Sequence, residues 1–143
     1  MLQLNEHLCF SLYACSRAIS RLYRPLLEEM GITYPQYLVL LSLWESDGRT
    51  VKELGEQLDL DSGTLTPLLK RMEANELIRR VRSKEDERVI LVLLTEKGLA
   101  LKGESDCIPS ALLSASGMST EDVSELNKTI KELVEKVIQT SGK

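Results

Sequence analysis

The stretch from Thr50 to Asn75, TVKELGEQLDLDSGTLTPLLKRMEAN, decides the fold class. Thr50 and Glu53 have the spacing of a capping box, and the apolar residues of the next turns share one helical face. Residues 59–62, DLDS, interrupt this pattern and supply N-cap side chains, after which leucines recur at helical spacing to about Asn75. Two short helices joined by a tight turn predict a helix-turn-helix.

Two segments with high β-propensity follow this pair of helices. Residues 77–82 and 88–94 are rich in Ile, Leu and Val, and they enclose the charged loop SKEDE at 83–87. This arrangement predicts a β-hairpin. A helix-turn-helix followed by a hairpin is the pattern of a winged helix.

Helices are predicted on both sides of this region. Residues 4–30 form a long first helix that we expect to kink or restart at Pro25, and a buried second helix begins near Thr33 and ends before Gly48. Thr95 is predicted to cap a further helix, and Ser119 with Asp122 resembles a capping box. The predicted fold class is therefore mainly α with a small β-hairpin wing.

The terminal helices carry apolar residues that the winged helix does not use. The C-terminal stripe consists of Val123, Leu126, Ile130, Leu133, Val134 and Val137. We predict one domain over 1–143, with 1–30 and 96–143 as dimerisation helices and 31–95 as the winged helix-turn-helix that binds DNA. The alternative is that both terminal helices complete a core within one chain.

Length and composition argue against a membrane protein, a secreted protein and a metalloprotein. The chain has 143 residues, and no apolar stretch approaches the roughly 18 residues that a membrane span needs. Because no signal peptide is evident either, we expect a cytoplasmic protein. One His, three Cys and no CxxC motif argue against a metal site, and no cofactor is predicted.

The distribution of charge favours a nucleic-acid partner. The chain has a net charge of −4, but residues 70–90 hold seven basic and five acidic side chains, a local charge of +2. A recognition helix needs small or hydrogen-bonding side chains near its N-terminus, and basic residues further along can bind phosphates. The predicted DNA contacts are Ser62, Gly63, Thr64 and Thr66 to bases, Lys70 and Arg71 to phosphates, and Arg82, Lys84, Asp86 and Arg88 in the wing, where Asp86 would hold the Arg88 guanidinium.

Four segments carry a resemblance to a known family: LCFSLYACSR (8–17), LYRPLLEEMGITYPQYLVLLSLWE (22–45), LGEQLDLDSGTLTPLLKRME (54–73) and SKEDER (83–88). Together they resemble the organic hydroperoxide resistance regulator (OhrR) branch of the MarR family of winged-helix repressors. The resemblance implies a homodimer that holds an inverted-repeat DNA operator and releases it when an N-terminal cysteine is oxidised by an organic hydroperoxide. The family's LCF-x-LY segment matches this cysteine to Cys9.

A redox-sensing cysteine needs stabilisation of its thiolate, because a free cysteine has a pKa of about 8.5. Cys9 has no flanking Lys or Arg. The resemblance implies that phenol hydroxyls of Tyr23 and Tyr34 reach the sulfur from the other subunit, with Tyr13 as a further candidate. An apolar pocket formed with Phe10 would suit an organic hydroperoxide better than hydrogen peroxide.

The fate of the oxidised cysteine has two alternatives. Cys15 lies six residues from Cys9, about 9 Å along a helix, which exceeds the roughly 7 Å limit for a disulfide. The resemblance offers Cys107 as a resolving residue, although the family's resolving position aligns near Ser114. We favour a one-cysteine regulator whose sulfenic acid is capped by a low-molecular-weight thiol or overoxidised.

Other functions remain open on the sequence. A thiol peroxidase would also use a reactive cysteine, but the sequence has neither a thioredoxin-like βαβ pattern nor a CxxC motif, so we predict that the chain is not an enzyme. A MarR-type repressor released by a small aromatic ligand and a redox-responsive global regulator are closer alternatives. Cysteine-independent release would indicate the first, and many operators across a genome the second.

Overall fold

The computed structural model describes residues 1–141 and consists of seven α-helices and a small antiparallel sheet in that range. The elements are α1 Leu8–Met30, α2 Tyr34–Glu45, β1 Arg49–Thr50, α3 Val51–Leu58, α4 Ser62–Ala74, β2 Ile78–Arg82, β3 Ile90–Leu94, α5 Glu96–Ala100, α6 Cys107–Ser116 and α7 Thr120–Ser141. Short 3-10 turns occupy Leu4–Glu6 and Leu101–Glu104. The chain divides into two compact units, Met1–Cys107 and Ile108–Lys143.

The predicted helix-turn-helix is confirmed as α3 and α4. The Thr50 hydroxyl accepts a hydrogen bond from the Glu53 amide at 3.0 Å, and the Glu53 carboxylate accepts one from the Thr50 amide at 3.0 Å, so the capping box is complete. The turn between the helices requires Gly55, because a Cβ there would lie 2.9 Å from the Leu60 carbonyl oxygen. The helix pair therefore adopts a tight turn that its own sequence specifies.

The hairpin is also confirmed, but its second strand is shorter than predicted. β2 pairs with β3 from Ile78 opposite Leu94 to Arg82 opposite Ile90. Residues 88 and 89 do not belong to the strand, because the Arg88 amide donates to the Asp86 carboxylate and the Val89 amide to the Asp86 carbonyl. A third strand that the sequence did not reveal, β1, pairs with β3 and gives the sheet order β1-β3-β2.

The first helix differs from its prediction in two ways. His7 has an extended backbone, with φ −85° and ψ 122°, so the predicted helix from residue 4 divides into a 3-10 turn and α1. Pro25 lies inside α1, which runs on without a restart and ends at Gly31 in the left-handed conformation with φ +74°. The N-terminal helix is thus one rod of 23 residues.

The core of the first unit lies in the winged-helix region. Its fully buried side chains come from α2, α3, α4, the sheet and the turn before β2, and include Leu40, Leu54, Met72, Leu77 and Val92. Trp44 of α2 donates a hydrogen bond from Nε1 to the Gly98 carbonyl at 3.0 Å. This bond ties α2 to α5 just beyond the sheet.

The second unit contains most of α6 and all of α7. Helix α6 includes Pro109 in its first turn. The Ser119 hydroxyl accepts from the Asp122 amide at 3.1 Å, as the predicted helix start requires. None of the 22 residues of Thr120–Ser141 is buried. Within residues 1–141, no helix combines the length and the apolar character needed to cross a membrane.

Candidate DNA-binding face and cysteine site

Helix α4 presents its predicted reading residues to solvent. Asp61 caps the helix by accepting from the Thr64 amide at 2.8 Å. Ser62, Gly63 and Thr64 are exposed and Thr66 is half-buried. The opposite face is buried through Leu65, Leu68, Leu69 and Met72. The first turn can therefore enter a DNA groove without disturbing the core.

Two exposed basic residues lie further along the same helix. Lys70 and Arg71 are both exposed near the C-terminal end of α4. Long basic side chains at this distance from the helix start suit phosphates rather than base edges. This placement fits the positioning role that the sequence predicts for them.

The wing holds its arginines in defined positions while leaving them accessible. The Arg88 guanidinium donates to both Asp86 carboxylate oxygens, from Nε at 3.2 Å and from a terminal nitrogen at 3.3 Å, although its side chain is 91% exposed. The side-chain and backbone hydrogen bonds from Arg88 lower the pKa of Asp86. Arg82 donates to the Glu87 carbonyl at 2.9 Å, and Lys84 is exposed. The wing therefore offers preorganised cations to an anionic partner.

Arg80, one of the seven basic residues between positions 70 and 90, is paired with a carboxylate and is less accessible to an anionic partner than the exposed arginines. Arg80 of β2 donates from its backbone amide and from its guanidinium to the Glu73 carboxylate of α4, at distances of 2.9 to 3.1 Å. The charge count in the sequence could not separate this paired arginine from the exposed ones. The spacing of seven residues across a helix end and a turn carried no recognisable signal.

Cys9 lies at the beginning of α1 and is exposed, as are Cys15 and Cys107. Its neighbour Phe10 is 37% exposed and Tyr13, one helical turn on, is 59% exposed. The Tyr13 hydroxyl accepts from Arg17 at 3.2 Å. The start of α1 therefore presents a thiol among accessible aromatic side chains.

The structure does not bring Cys9 together with Tyr23 or Tyr34 within one chain. Cys9 and Tyr23 are separated by fourteen positions of the continuous helix α1, or about 21 Å. Cys15 and Cys9 lie on the same helix and cannot form a disulfide without unwinding it. Any contact between Cys9 and these tyrosines has to come from a second copy of the chain.

Tyr23 and Tyr34 instead begin a row of aromatic rings. The ring centroids of Tyr23 and Tyr34 are 6.1 Å apart, those of Tyr34 and Tyr37 are 6.4 Å apart, and those of Tyr37 and Trp44 are 6.3 Å apart. Burial raises the pKa of Tyr23, with a smaller contribution from Tyr34, and burial raises the pKa of Tyr37 to about 12. These buried phenols are neutral hydrogen-bonding groups at physiological pH. Tyr37 and Trp44 both lie in α2, the helix that the sequence predicts to be buried.

A pocket of about 330 Å³ opens beside Tyr34, between the C-terminal half of α1 and the start of α2. Leu27 and Ile32 supply apolar lining, and Arg24 and Glu28 supply charged groups. A pocket of this size accepts a small organic molecule. Within residues 1–141, the His, Cys, Asp and Glu side chains form no group of three or more that could hold a metal ion.

Comparison with known proteins decides the family. The organic hydroperoxide resistance transcriptional regulator of Bacillus subtilis (strain 168) is 52% identical to this chain over 96% of the chain and 94% of that protein. The chain belongs to the organic hydroperoxide resistance regulators. The family model described as transcriptional regulator SarA/Rot matches residues 21–105 of this regulator.

Two further relatives agree with this assignment to transcriptional regulators. The HTH-type transcriptional regulator TtmR of Methylorubrum extorquens (strain PA1) is 52% identical to this chain. The aligned region covers 83% of this chain and 61% of that protein. The reduced form of AbfR bound to DNA matches with a TM-score of 0.75 and 35% identity, covering 92% of this chain and 91% of that one. AbfR of Staphylococcus epidermidis also matches in an overoxidised, DNA-bound form (TM-score 0.68) and a disulfide form (TM-score 0.64). This regulator therefore shares the winged-helix fold of a redox-dependent DNA-bound protein.

Proposed function

We propose that the chain is a repressor that binds an inverted-repeat DNA operator as a homodimer and is released when an organic hydroperoxide oxidises Cys9. The observation that carries this proposal is the exposed Cys9 thiol on a helix whose N-terminal half is unburied and apolar, next to exposed Leu8 and Phe10. An exposed apolar helix face of this kind favours a subunit interface.

Helix geometry supports a cysteine site shared by two subunits. Fourteen residues make nearly four turns, so Cys9 and Tyr23 lie on the same side of α1. If two copies of α1 cross in antiparallel fashion around a two-fold axis near Ser16, Cys9 of each copy meets Tyr23 of the partner subunit. Tyr34 accompanies Tyr23 because their rings are in contact within one chain. Tyr13, one turn from Cys9, and Phe10 would complete the pocket.

The chemistry at this site is a two-electron oxidation of the thiolate. The sulfur attacks one peroxide oxygen, the O–O bond breaks, and the departing alkoxide takes up a proton to leave as an alcohol. The sulfur is thereby oxidised to a sulfenic acid and the hydroperoxide is reduced. Neutral tyrosine hydroxyls can donate hydrogen bonds to the thiolate and to the departing oxygen.

The sulfenic acid then condenses with a low-molecular-weight thiol, with loss of water, to give a mixed disulfide. Cys107 is the alternative partner, and it is exposed with its Sγ 3.4 Å from the Glu104 carbonyl oxygen. Either product enlarges a packed site, which typically costs about 1–3 kcal/mol. A small rotation of the subunits would then misplace one recognition helix relative to half-sites about 34 Å apart.

The pocket beside Tyr34 favours a second candidate function, a repressor released by a small aromatic ligand. Its volume of about 330 Å³ and its mixed apolar and charged lining fit such a molecule. This candidate predicts release that does not depend on any cysteine.

The decisive experiment compares Cys9→Ser with Cys15→Ser in operator-binding assays with cumene hydroperoxide. Cys9→Ser should bind operator and ignore the peroxide, whereas Cys15→Ser should respond like the wild type. Intact mass after limiting peroxide, with and without a small thiol, separates an adduct from subunits linked through Cys107. Release of the Cys9→Ser protein by peroxide would refute the assignment.

A further inference from the structure

The recognition helix and the wing are joined by an ion pair that no DNA-contact role explains. The Glu73 carboxylate of α4 accepts three hydrogen bonds from Arg80 of β2: from the backbone amide at 3.0 Å, from Nε at 3.1 Å and from a terminal guanidinium nitrogen at 2.9 Å. The side chains are 37% and 24% exposed, respectively. This is a two-oxygen, three-donor contact, in contrast to the single bonds of an ordinary surface pair.

The position of the pair makes it a link between the two DNA-reading elements. Glu73 lies in the last turn of α4, whose first turn carries the reading residues. Arg80 lies in the middle of β2, at the edge of the sheet, where its amide faces away from β3 and would otherwise lack a strand partner. The Glu73 carboxylate therefore holds the Arg80 guanidinium and also accepts the hydrogen bond of a backbone amide at the edge of the sheet.

The turn between α4 and β2 does not by itself fix the angle between the helix and the wing, and the ion pair can fix it. The Leu77 amide donates to the Met72 carbonyl at 3.0 Å, and Glu76 has a left-handed backbone with φ +61°, so the turn sets where β2 begins. Beyond Arg80 the wing continues through Val81 and Arg82 of β2 and into the loop at 83–87, so that five residues reach at most about 17 Å. A tilt of about 10° at the Glu73–Arg80 ion pair, which we call the clamp, then moves the wing tip by up to about 3 Å, which is enough to break its groove contacts.

From this geometry we infer that Glu73 and Arg80 are positioning residues that hold the wing at the angle to α4 required for specific operator binding. The inference rests on the proposed DNA-binding function. It assigns Arg80 a role through Glu73 rather than through a DNA phosphate. The hydrogen bonds from Arg80 also lower the pKa of Glu73, so this carboxyl is charged at neutral pH.

The direction in which Glu73→Ala changes operator affinity distinguishes this positioning role from a simple effect of charge. Glu73→Ala removes a negative charge near a DNA-binding face, which by itself would strengthen binding to a polyanion. The clamp predicts the opposite result, a loss of about tenfold in operator affinity, because the wing is no longer held. Glu85→Ala in the exposed wing loop is the matched control and should leave affinity unchanged or increase it.

Arg80→Ala should weaken operator binding by a similar factor, and the Glu73→Ala, Arg80→Ala double variant should be no weaker than either single variant. The slope of log affinity against log salt should stay that of the wild type. If Arg80 instead bound a phosphate, the slope would fall by about one. Arg79→Ala, an exposed neighbour on the same strand, is the control for loss of a general positive charge.

The experiment uses the full-length protein and an inverted repeat that the wild-type chain selects from a random DNA library. Affinities for this repeat and for unrelated duplex are measured over a salt series, with circular dichroism to verify folding. Glu73→Gln and Arg80→Lys, which keep part of the hydrogen bonding, should show intermediate losses and serve if an alanine variant does not fold. Affinity for unrelated duplex should change less than twofold.

The outcomes distinguish the clamp from the function on which it rests. A wild-type chain that selects no DNA would refute both. A wild-type chain that binds its repeat while Glu73→Ala binds as well or better would refute the clamp alone. Additive losses in the double variant, or a reduced salt slope for Arg80→Ala, would also overturn it.

Discussion

The winged-helix region and the terminal helices place their apolar residues in opposite environments. In the first, Val39, Leu40, Leu54, Met72 and Val92 are completely shielded from solvent. In α7, a helix of 22 residues with a clear apolar stripe, Leu126, Val134 and Val137 are about half exposed. One region thus finishes its core within the chain, and the other does not.

This difference separates two sources of stability. Side chains buried within one chain contribute to folding at any protein concentration, because their partners are always present. An unburied apolar stripe contributes only when another surface covers it, and that contribution depends on concentration. The exposed N-terminal half of α1, with Leu8 and Tyr13, belongs to the second kind. Cys9 is exposed on this same half of the helix.

The largest effect on the free energy of unfolding is expected when a core side chain of the winged-helix region is truncated. Leu40→Ala should lower the free energy of unfolding by about 3 kcal/mol, since it leaves a cavity in fully packed surroundings. Urea unfolding at several protein concentrations measures this loss, which should be the same in every dilution. The matched control is Leu126→Ala, the same truncation on α7, whose effect at low protein concentration should stay below about 1 kcal/mol. Equal losses in both variants would contradict the contrast between the regions.

A second prediction concerns the apolar stripe of α7 as a subunit interface. Replacing Val134 and Val137 with lysine should convert the dimer to monomers and reduce operator affinity by about 100-fold or more, because each subunit then binds its half-site alone. Sedimentation equilibrium and operator titrations measure the two effects.

The control for this pair is Glu132→Lys on the polar side of the same helix. It should leave the dimer and the affinity nearly unchanged. A double variant that stays dimeric would place the interface elsewhere.

The contrast also explains how much the sequence could predict. Thr50 and Glu53 predicted their helix start, and Asp86 with Arg88 predicted a wing ion pair, because each signal lies within a few residues along the chain. The two-residue strand β1 was not predicted, since it pairs with β3, more than forty residues away along the chain. Local patterns were sufficient for the winged helix but not for its third strand.

The candidate site was less predictable for a similar reason. The Glu73–Arg80 pair spans a helix end, a turn and a strand, and the sequence shows only an acid and a base of unknown orientation. The row from Tyr23 to Trp44 depends on how α1 packs against α2, which apolar spacing does not specify. The role predicted for Cys9 comes from the family resemblance, because its sequence neighbours Leu8 and Phe10 are by themselves typical of a core residue. These features depend on tertiary contacts.

The smallest predicted effect compares a buried phenol with an exposed one. Tyr37, in the winged-helix region, has a pKa raised to about 12 by burial, against about 10 in an unfolded chain. The native state therefore keeps its proton after the unfolded state has lost it. This contribution to stability is complete below pH 10 and disappears as the pH rises towards 12. As the pH rises over this range, the free energy of unfolding should therefore fall by about 2 kcal/mol less in Tyr37→Phe than in the wild type.

Tyr13, which is 59% exposed on the terminal helix α1, provides the control. Tyr13→Phe should leave the alkaline fall in stability as it is in the wild type, because it removes an exposed hydroxyl and keeps the buried phenol of Tyr37. Urea unfolding at pH 9 and pH 11.5 tests both variants. If Tyr37→Phe retained the full wild-type fall, the alkaline loss would come from other groups, and the buried aromatic row would not distinguish the two regions in this respect.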